Sequence, residues 1–300
     1  MLRMLTLMVL SLLFFQMAQA EVVIHIDGSS TVFPITEAVA EEFGIKNPKT
    51  KITVGVSGTG GGFKKFCNGE IDINDASRLI KTLESADCRK NKISYVEMPV
   101  AYDGLSVVVN SQNTWVNSLT VAELKKIWEP DSKVKTWKDV RSTWPDRKII
   151  LYGPGTDSGT FDYFTEVVNG KAQASRSDFT KSEDDNVLVQ GIVGDKDAMG
   201  YFGHAYYEAN KTKLKVVPIQ AEGGKAITPT TETIANGTYK PLSRMIYIYV
   251  SVAAGKKKEV SSFIDFYMKN AGALVKDVGY ISLENKKYET ALSEFNKRIK

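Results

Sequence analysis

The stretch "VGVSGTGGGFKKF" (residues 54–66) passes from a β-branched run through a glycine-rich segment into a helix-like run. Glycine loses more conformational entropy on folding than any other residue, so such a cluster needs a reason: a turn, a close backbone approach or a ligand. The same order of an apolar strand, a loop of glycine and hydroxyl residues, and an amphipathic run recurs in "HIDGSSTVFP" (25–34) and "LYGPGTDSGTF" (151–161). The repeated pattern suggests one shared purpose for the three loops.

Strand-like and helix-like runs alternate along the chain, which indicates an α/β fold. The predicted strands lie at 21–26, 51–56, 96–110, 148–152, 214–219 and 244–251. The predicted helices lie at 34–44, 120–128, 158–168, 258–270 and 287–299.

The length of 300 residues suits two lobes better than one core. The long runs 96–110 and 241–251 are suited to cross from one lobe to the other and back. We therefore expect lobe one to comprise residues 21–103 and 246–300, and lobe two to comprise residues 104–245.

Residues 1–20 have the features of a secretory signal peptide. Arg3 precedes a short apolar run, and Ala18-Gln19-Ala20 forms a small-x-small cleavage site. The alternative, a membrane anchor, is disfavoured because the run is short for a span. We expect cleavage after Ala20 and a periplasmic location.

The two cysteines, Cys67 and Cys88, are predicted to form a disulfide because an exported chain enters an oxidising compartment. Two unpaired buried thiols are the alternative. Two cysteines and two distant histidines, His25 and His204, match no metal-ligand spacing, so we expect no metal. The formal charge of +4 is spread along the chain without a basic stripe, so we expect no nucleic-acid partner.

The three loops together favour a small-anion site. Ligands of α/β sheets bind where strands end and helices begin, and a helix N-terminus presents free N–H groups and partial positive charge. The loops fit neither the G-x-x-x-x-G-K-[ST] nor the dinucleotide template. A small oxyanion held between two lobes is the ligand that this pattern predicts.

The segments "DGSSTVFPI", "SGTGGGFKKFCNGEIDINDASR" and "YGPGTDSGTFDYFTE" resemble the periplasmic phosphate-binding proteins of bacterial phosphate ABC importers. "GYFGHAYYEAN" (200–210) and "PLSRMIYIY" (241–249) extend the likeness over nearly all of the mature chain. The resemblance implies a two-lobed periplasmic-binding-protein fold of type 2 that closes on inorganic phosphate in a hinge cleft. It also implies delivery to ABC permease subunits, a monomer, no cofactor and no enzymatic activity.

The resemblance also implies the site residues. Ser30 and Thr31 would donate their hydroxyls from the first loop, with Ser29 and the N–H of Val32 nearby in the same site. The remaining phosphate ligands would be Thr59 and Gly60 from the second loop, Ser77 and Arg78 from "DASR", and Ser158, Gly159 and Thr160 from "DSGT".

Two positions depart from the best-known branch of that family. Ser77 stands where that branch has an aspartate, and Pro154 stands where it has an arginine. We interpret Arg78 as the replacement cation, because its planar guanidinium suits an oxyanion. The alternative is a purely structural salt bridge from Arg78 to an acidic neighbour: Asp72, Asp75 or Glu84.

A carboxylate in the site would explain discrimination between phosphate and sulfate. Phosphate near neutral pH often keeps a proton that a carboxylate accepts, whereas the same carboxylate repels a fully ionised anion. Asp157, beside Ser158, is our first candidate for this acceptor, and Asp75 is the second. The alternative for Asp157 is a role limited to the helix dipole.

Three other functions remain open from the sequence. The protein could bind another oxyanion such as sulfate or molybdate, or act as a secreted phosphate sensor. A serine hydrolase is a further alternative, since "TDSGT" and the order His25, Asp103, Ser158 resemble a protease pattern. Order alone does not define a triad, however, and the alternating strands and helices do not suit a protease fold.

Overall fold

The structure is a computed structural model, and it describes residues 22–156, 158–182 and 184–300. The predicted signal peptide, residues 1–20, lies outside this range, and so does Asp157, the first candidate for the proton acceptor.

The described chain folds into alternating strands and helices, which confirms the predicted α/β class. The strands are β1 (Val22–Gly28), β2 (Thr50–Val54), β3 (Ile73–Ala76), β4 (Tyr95–Asn110), β5 (Leu119–Thr120), β6 (Ile150–Pro154), β7 (Thr180–Ser182), β8 (Ala198–Gly203), β9 (Leu214–Val216), β10 (Ile219–Gln220), β11 (Ala226–Ile227), β12 (Ser243–Ser251) and β13 (Ile281–Ser282). The helices are α1 (Phe33–Lys46), α2 (Gly58–Cys67), α3 (Thr82–Lys90), α4 (Val121–Trp128), α5 (Trp137–Val140), α6 (Gly159–Asn169), α7 (Asp185–Gly194), α8 (His204–Asn210), α9 (Thr231–Ala235), α10 (Val252–Gly255), α11 (Lys258–Asp277) and α12 (Asn285–Ile299).

The main sheet has the strand order β2-β1-β3-β12-β4-β8-β6-β7. Its two outer parts are parallel, with β1 beside β2 and β3, and β6 beside β7 and β8. Between them, β12 runs antiparallel to both β3 and β4. This order places the carboxyl ends of β1, β2 and β3 on one side of the crossing strands and those of β6 and β7 on the other.

Strand β4 changes its partner halfway along its length. Residues 95–104 pair with β12, whereas residues 105–109 pair with β8. The first β12 residue, Ser243, pairs with Gly104, and the N–H of Leu105 donates to the carbonyl of Leu242. Both crossings therefore occur at the same level, as expected for a hinge.

Helices pack on both parts of the sheet and form the hydrophobic core. On the side of β1, the rings of Phe43 in α1 and Phe263 in α11 lie 5.4 Å apart, edge to face. On the side of β8, Trp128 of α4 and Phe164 of α6 both pack against Tyr201, the latter pair stacked at 3.6 Å between ring centres. All five side chains are at most 3% exposed.

The glycine-rich stretch is not a bare loop, as the sequence had suggested, but the beginning of helix α2. Only Gly58 has a left-handed conformation, with φ of +75°. Gly62 is needed for packing, because a Cβ there would overlap Oδ1 of Asn74 and lie 2.7 Å from Cα of Gly28. Part of the glycine content thus serves the contact between α2 and the strands β1 and β3.

The remaining local predictions agree with the structure except at two kinds of place. The predicted strand 214–219 is two short strands, β9 and β10, which pair with different partners. The short strands β3 and β8, both central to the sheet, were not predicted, and neither were the helices α3, α7 and α8.

The predicted disulfide between Cys67 and Cys88 is confirmed. It joins the last residue of α2 to α3, and both sulfur-bearing residues are at most 2% exposed. Among the described residues, no helix combines the length and the apolar character that crossing a membrane requires.

Candidate ligand-binding site between the crossing strands and three helix N-termini

Helices α1, α2 and α6 begin directly after the three loops that the sequence singled out. Neither α1 nor α2 has a side-chain cap on its first turn, and Ser57, the residue before α2, donates its hydroxyl to Asp27 instead. In α6 the Oγ of Ser158 accepts from the N–H of Thr160 at 3.2 Å. At α1 the N–H groups of the first turn are already bonded to the carbonyls of Ser29 and Val32. It is therefore the uncapped start of α2 that is suited to bind an anion.

Asp27, at the end of β1, fixes the first two loops relative to each other. Its carboxylate accepts from the N–H of Gly28 and from Oγ of Ser57, both at 2.7 Å, and from Nζ of Lys65. Burial raises the pKa of Asp27, but these hydrogen bonds outweigh burial and hold the pKa below its ordinary value. An ionised Asp27 therefore orients the loop that leads into α2.

A cavity of about 210 Å³ lies where these loops meet, and we call it the anion cavity. Its hydroxyl and glycine lining residues are Ser29, Ser30, Thr31, Gly58, Thr59, Gly60 and Ser77. Its charged lining residues are Arg78, Lys81, Asp162, Glu166 and Arg244. The structure thus brings together every predicted site residue of the first two loops and of "DASR".

Thr59 and Ser77 hold each other in place at one wall of the anion cavity. Their hydroxyls lie 3.0 Å apart, and the N–H of Ser77 donates to Oγ1 of Thr59 at 3.1 Å. This pairing explains how Ser77 contributes to the site without the carboxylate of the better-known branch.

Arg78 lines the anion cavity and also makes the salt bridge that the sequence left as an alternative. Its Nη1 and Nη2 donate to the two carboxylate oxygens of Glu84, each at 2.8 Å. The hydrogen bonds that Arg78 donates to Glu84 raise the pKa of Arg78. Glu84 thus holds the guanidinium at the edge of the cavity, close to the start of α2.

Arg244 is a lining residue that the sequence reasoning missed. It lies on the crossing strand β12, donates from Nε to Asp103 at 3.2 Å and from Nη2 to Oγ1 of Thr31 at 2.9 Å. Its guanidinium lies 3.5 Å from the ring centre of Tyr163. The signal in the sequence is its place in "PLSRMIYIY", one of the segments that carry the resemblance.

The predicted residues of the third loop lie on the other side of a close contact. Oγ1 of Thr31 donates to the carbonyl of Gly159 at 3.2 Å. Beyond this contact, Ser158, Gly159 and Thr160 line a second cavity of about 580 Å³ together with Ser30. Ser30 lines both cavities, so it stands at the junction between the two halves of the predicted site.

The carboxylates of Asp75 and Asp162 differ in their access to the anion cavity. Asp75, the second candidate for the proton acceptor, lines neither cavity; it is fully buried and accepts from Thr36 at 3.0 Å. Asp162 lines the anion cavity, and its buried Oδ1 has no hydrogen-bond partner among the described residues. Burial raises the pKa of Asp162, while Gln173 and Arg244 act in the opposite direction.

The three residues of the protease-like order are not hydrogen-bonded into a triad. The ring of His25 pairs with Oγ1 of Thr53 at 3.1 Å, and Asp103 pairs with Arg244. The other histidine, His204, is buried and bonded through Nδ1 to Ser106 at 3.0 Å.

Two halves of a sheet joined by crossing strands, with a hydroxyl-lined cavity beside the crossing, define a two-lobed binding protein for a small ligand. A model of the PBP superfamily domain matches residues 16–271. Protein SphX of Synechococcus elongatus is 54% identical over 271 residues, which cover 90% of this chain and 80% of that protein. The phosphate-binding protein PstS of Staphylococcus aureus is 41% identical over 269 residues, which cover 89% of this chain and 80% of that protein.

Two solved structures support the same assignment. A possible phosphate binding protein from Planctomyces limnophilus superposes with a TM-score of 0.89 at 51% identity, covering 93% of this chain and 99% of that one. An ABC-type phosphate transport receptor from Vibrio cholerae superposes with a TM-score of 0.68 at 25% identity, covering 87% and 100%. The chain belongs to the PstS family of the PBP superfamily. The predicted two-lobed fold and the predicted family are therefore confirmed.

Proposed function

We propose that this protein captures inorganic phosphate between its lobes and delivers it to the permease subunits of an ABC transporter. The observation that carries this proposal is the anion cavity, where the uncapped start of α2, five serine and threonine hydroxyls and two arginines surround about 210 Å³. The names of the staphylococcal and Vibrio relatives support phosphate as the ligand and transport as the purpose.

In this proposal the phosphate binds at Ser30, where the two cavities meet. Ser29, Thr31, Thr59, Gly60, Ser77 and Arg78 would contact it from lobe one, and Ser158, Gly159 and Thr160 from lobe two. Ser30 lines both cavities, so an anion at this position is within reach of the starts of α1 and α6.

For the choice between phosphate and sulfate, we propose Asp162 as the acceptor of the phosphate proton. Its partly buried carboxylate lines the anion cavity and has one oxygen without a partner, whereas Asp75 lies behind the cavity. A protonated oxyanion would donate to the carboxylate of Asp162, and a fully ionised one would be repelled by it. Asp157 stays a sequence prediction because it lies outside the described residues.

We propose the lobe limits that the sequence predicted, residues 21–103 with 246–300 and residues 104–245. The change of partner of β4 between Gly104 and Leu105 supports the first limit, and the pairing of Ser243 with Gly104 supports the second to within three residues. The protein would act as a periplasmic monomer after removal of residues 1–20, without a cofactor, a catalytic role or a nucleic-acid partner.

Calorimetric titration of the ligand-free mature protein with phosphate, sulfate and molybdate tests the proposed function. We expect one phosphate per chain and weaker or undetectable binding of the other two anions at neutral pH. If sulfate or molybdate binds more tightly than phosphate, that anion and not phosphate is the ligand of this protein. Phosphate binding without any effect of the protein on uptake by the permease would instead support the phosphate sensor.

A further inference from the structure

Arg244 is placed where the two lobes and the anion cavity meet. On the crossing strand β12 it is in register with Asp103 of the crossing strand β4. Its side chain is 14% exposed, and that of Asp103 is 5% exposed. Arg244 is a cation that lines the ligand cavity and lies on a strand that connects the lobes. Its side chain can therefore contact the ligand, and closure of the lobes can change its contacts.

Three contacts fix the guanidinium of Arg244 and leave one of its edges open. Nε bonds Asp103 and Nη2 bonds Thr31, while the flat face lies on the ring of Tyr163. A guanidinium has five N–H groups, so three of them, two on Nη1 and one on Nη2, have no partner among the described residues. Neighbouring nitrogens of this kind form the fork that binds an oxyanion through two parallel hydrogen bonds.

Arg78 is less available for the same task. Two of its N–H groups donate to Glu84 and a third donates to the carbonyl of Leu79 at 3.1 Å. The carboxylate of Glu84 thus occupies the Nη1 and Nη2 fork of Arg78. The fork of Arg244 has no such occupant within the described part of the chain.

We propose that Arg244 is the cation that grips the bound oxyanion through its Nη1 and Nη2 edge. This inference rests on the proposed function and adds a ligand residue to the same site. Because the gripping guanidinium also contacts Thr31 of the first loop and Tyr163 of α6, a bound anion fixes the contact between the lobes. Arg244 therefore couples anion binding to closure.

The replacement Arg244→Lys tests the grip while keeping a positive charge beside the buried Asp103. The lysine lacks the planar fork and the flat face, so we expect the phosphate dissociation constant to rise roughly 30-fold or more. Arg78→Gln serves as the matched variant, and we expect its effect to be several-fold smaller. Equal or reversed effects of the two variants would overturn the proposal.

The double variant Asp103→Asn with Arg244→Gln separates direct contact from charge neutralisation. It removes the buried ion pair as a unit, so no unpaired charge is left behind and the fold is preserved. If Arg244 grips the anion, phosphate binding stays as weak as in Arg244→Lys. Recovery of wild-type affinity in the double variant would show that Arg244 only neutralises Asp103, and would overturn the proposal.

Small-angle X-ray scattering with and without phosphate supplies the readout for coupling. We expect the wild type to become more compact on adding phosphate, and Arg244→Lys to remain unchanged at phosphate concentrations that saturate it. Compaction of the saturated variant to the wild-type extent would refute the coupling. Failure of the wild-type protein to bind phosphate would instead refute the proposed function itself.

Discussion

At the scale of single residues, the proposed role of Asp162 in anion selectivity can be tested directly. Asp162→Asn should weaken phosphate binding by about 1–3 kcal/mol, the usual contribution of a hydrogen bond to a charged group. The same change removes a negative charge that faces sulfate, so sulfate affinity should rise. Titration of wild type and variant with both anions measures the ratio of phosphate affinity to sulfate affinity. If this ratio is unchanged in Asp162→Asn but changes in Asp157→Asn or in Asp75→Asn, the residue whose variant changes it is the proton acceptor.

The raised pKa of Asp162 gives this selectivity a pH dependence. As the pH falls through the raised pKa, the carboxyl becomes protonated and changes from an acceptor to a donor. Sulfate binding to the wild type should therefore strengthen as the pH falls, while Asp162→Asn should lose this part of the dependence. Parallel pH profiles for the two proteins would contradict the assignment.

Arg78 and Glu84 form a pair whose two members can be separated by mutation. Arg78→Ala should weaken phosphate binding by about 0.5–1.5 kcal/mol because a donor at the cavity edge is lost. Glu84→Gln keeps the side-chain shape but removes the charge that occupies the guanidinium, so phosphate binding should be unchanged or tighter. If phosphate binds more weakly to Glu84→Gln than to Arg78→Ala, the ion pair shapes the wall of the anion cavity and Arg78 does not itself contact the anion.

At the scale of elements, the glycines of α2 show how a helix comes to lie close to a sheet. Gly62→Ala should lower the free energy of unfolding by about 2–4 kcal/mol, since its Cβ would overlap Asn74 against the strands. Gly44→Ala in α1 is the matched control, because no atom lies within 4 Å of a Cβ there. It should raise stability by up to about 1 kcal/mol. Chemical unfolding measures the free energy of unfolding of both variants. Equal changes in this free energy would contradict the packing argument.

The disulfide acts on the same part of lobe one. Its replacement by Cys67→Ser with Cys88→Ser should cost about 3 kcal/mol of stability, the loop-closure value for a ring of this length. Neither sulfur lines the anion cavity, so phosphate affinity of the folded variant should stay at the wild-type value. A large loss of affinity in the folded variant would show that the bridge positions Arg78 through α3.

The elements that the sequence revealed are those whose pattern is local. A hydroxyl and glycine loop between a strand and a helix is visible within ten residues, so Ser30, Thr59 and Thr160 could all be named in advance. Arg244 could not, because its role comes from Asp103 and Tyr163, which are distant in sequence and meet it only in the folded protein. The need for glycine at position 62 could not be predicted either, because the atoms that a Cβ would overlap belong to Asn74 and Gly28 in other elements.

At the scale of the whole molecule, the two lobes are joined by the paired crossing strands β4 and β12. The sheet is continuous through β12 and β4, so the hinge is made of paired strands rather than of loose linkers. Opening of the cleft must therefore separate contacts between loops, above all the one between Thr31 and Gly159. This contact is the place where closure can be blocked without damage to either lobe.

Gly159→Ala should prevent full closure. A Cβ at Gly159 would overlap the backbone N and Oγ1 of Thr31 and lie 2.7 Å from its Cα, and the overlap disappears when the lobes separate. We expect weaker phosphate binding by at least about 1–3 kcal/mol, as for other overpacked contacts, with unchanged stability of the ligand-free protein. Gly203→Ala is the control in the same cleft, since the nearest atom to its Cβ is 3.8 Å away, on Tyr206.

Scattering measurements complete this test of closure. With phosphate present, the wild type and Gly203→Ala should become more compact, whereas Gly159→Ala should keep the dimensions of the ligand-free protein. Because the added methyl group touches only the facing lobe, a loss of stability in ligand-free Gly159→Ala would mean that the lobes are already closed without ligand. Normal affinity and normal compaction in Gly159→Ala would show that phosphate is bound without the contact between Thr31 and Gly159.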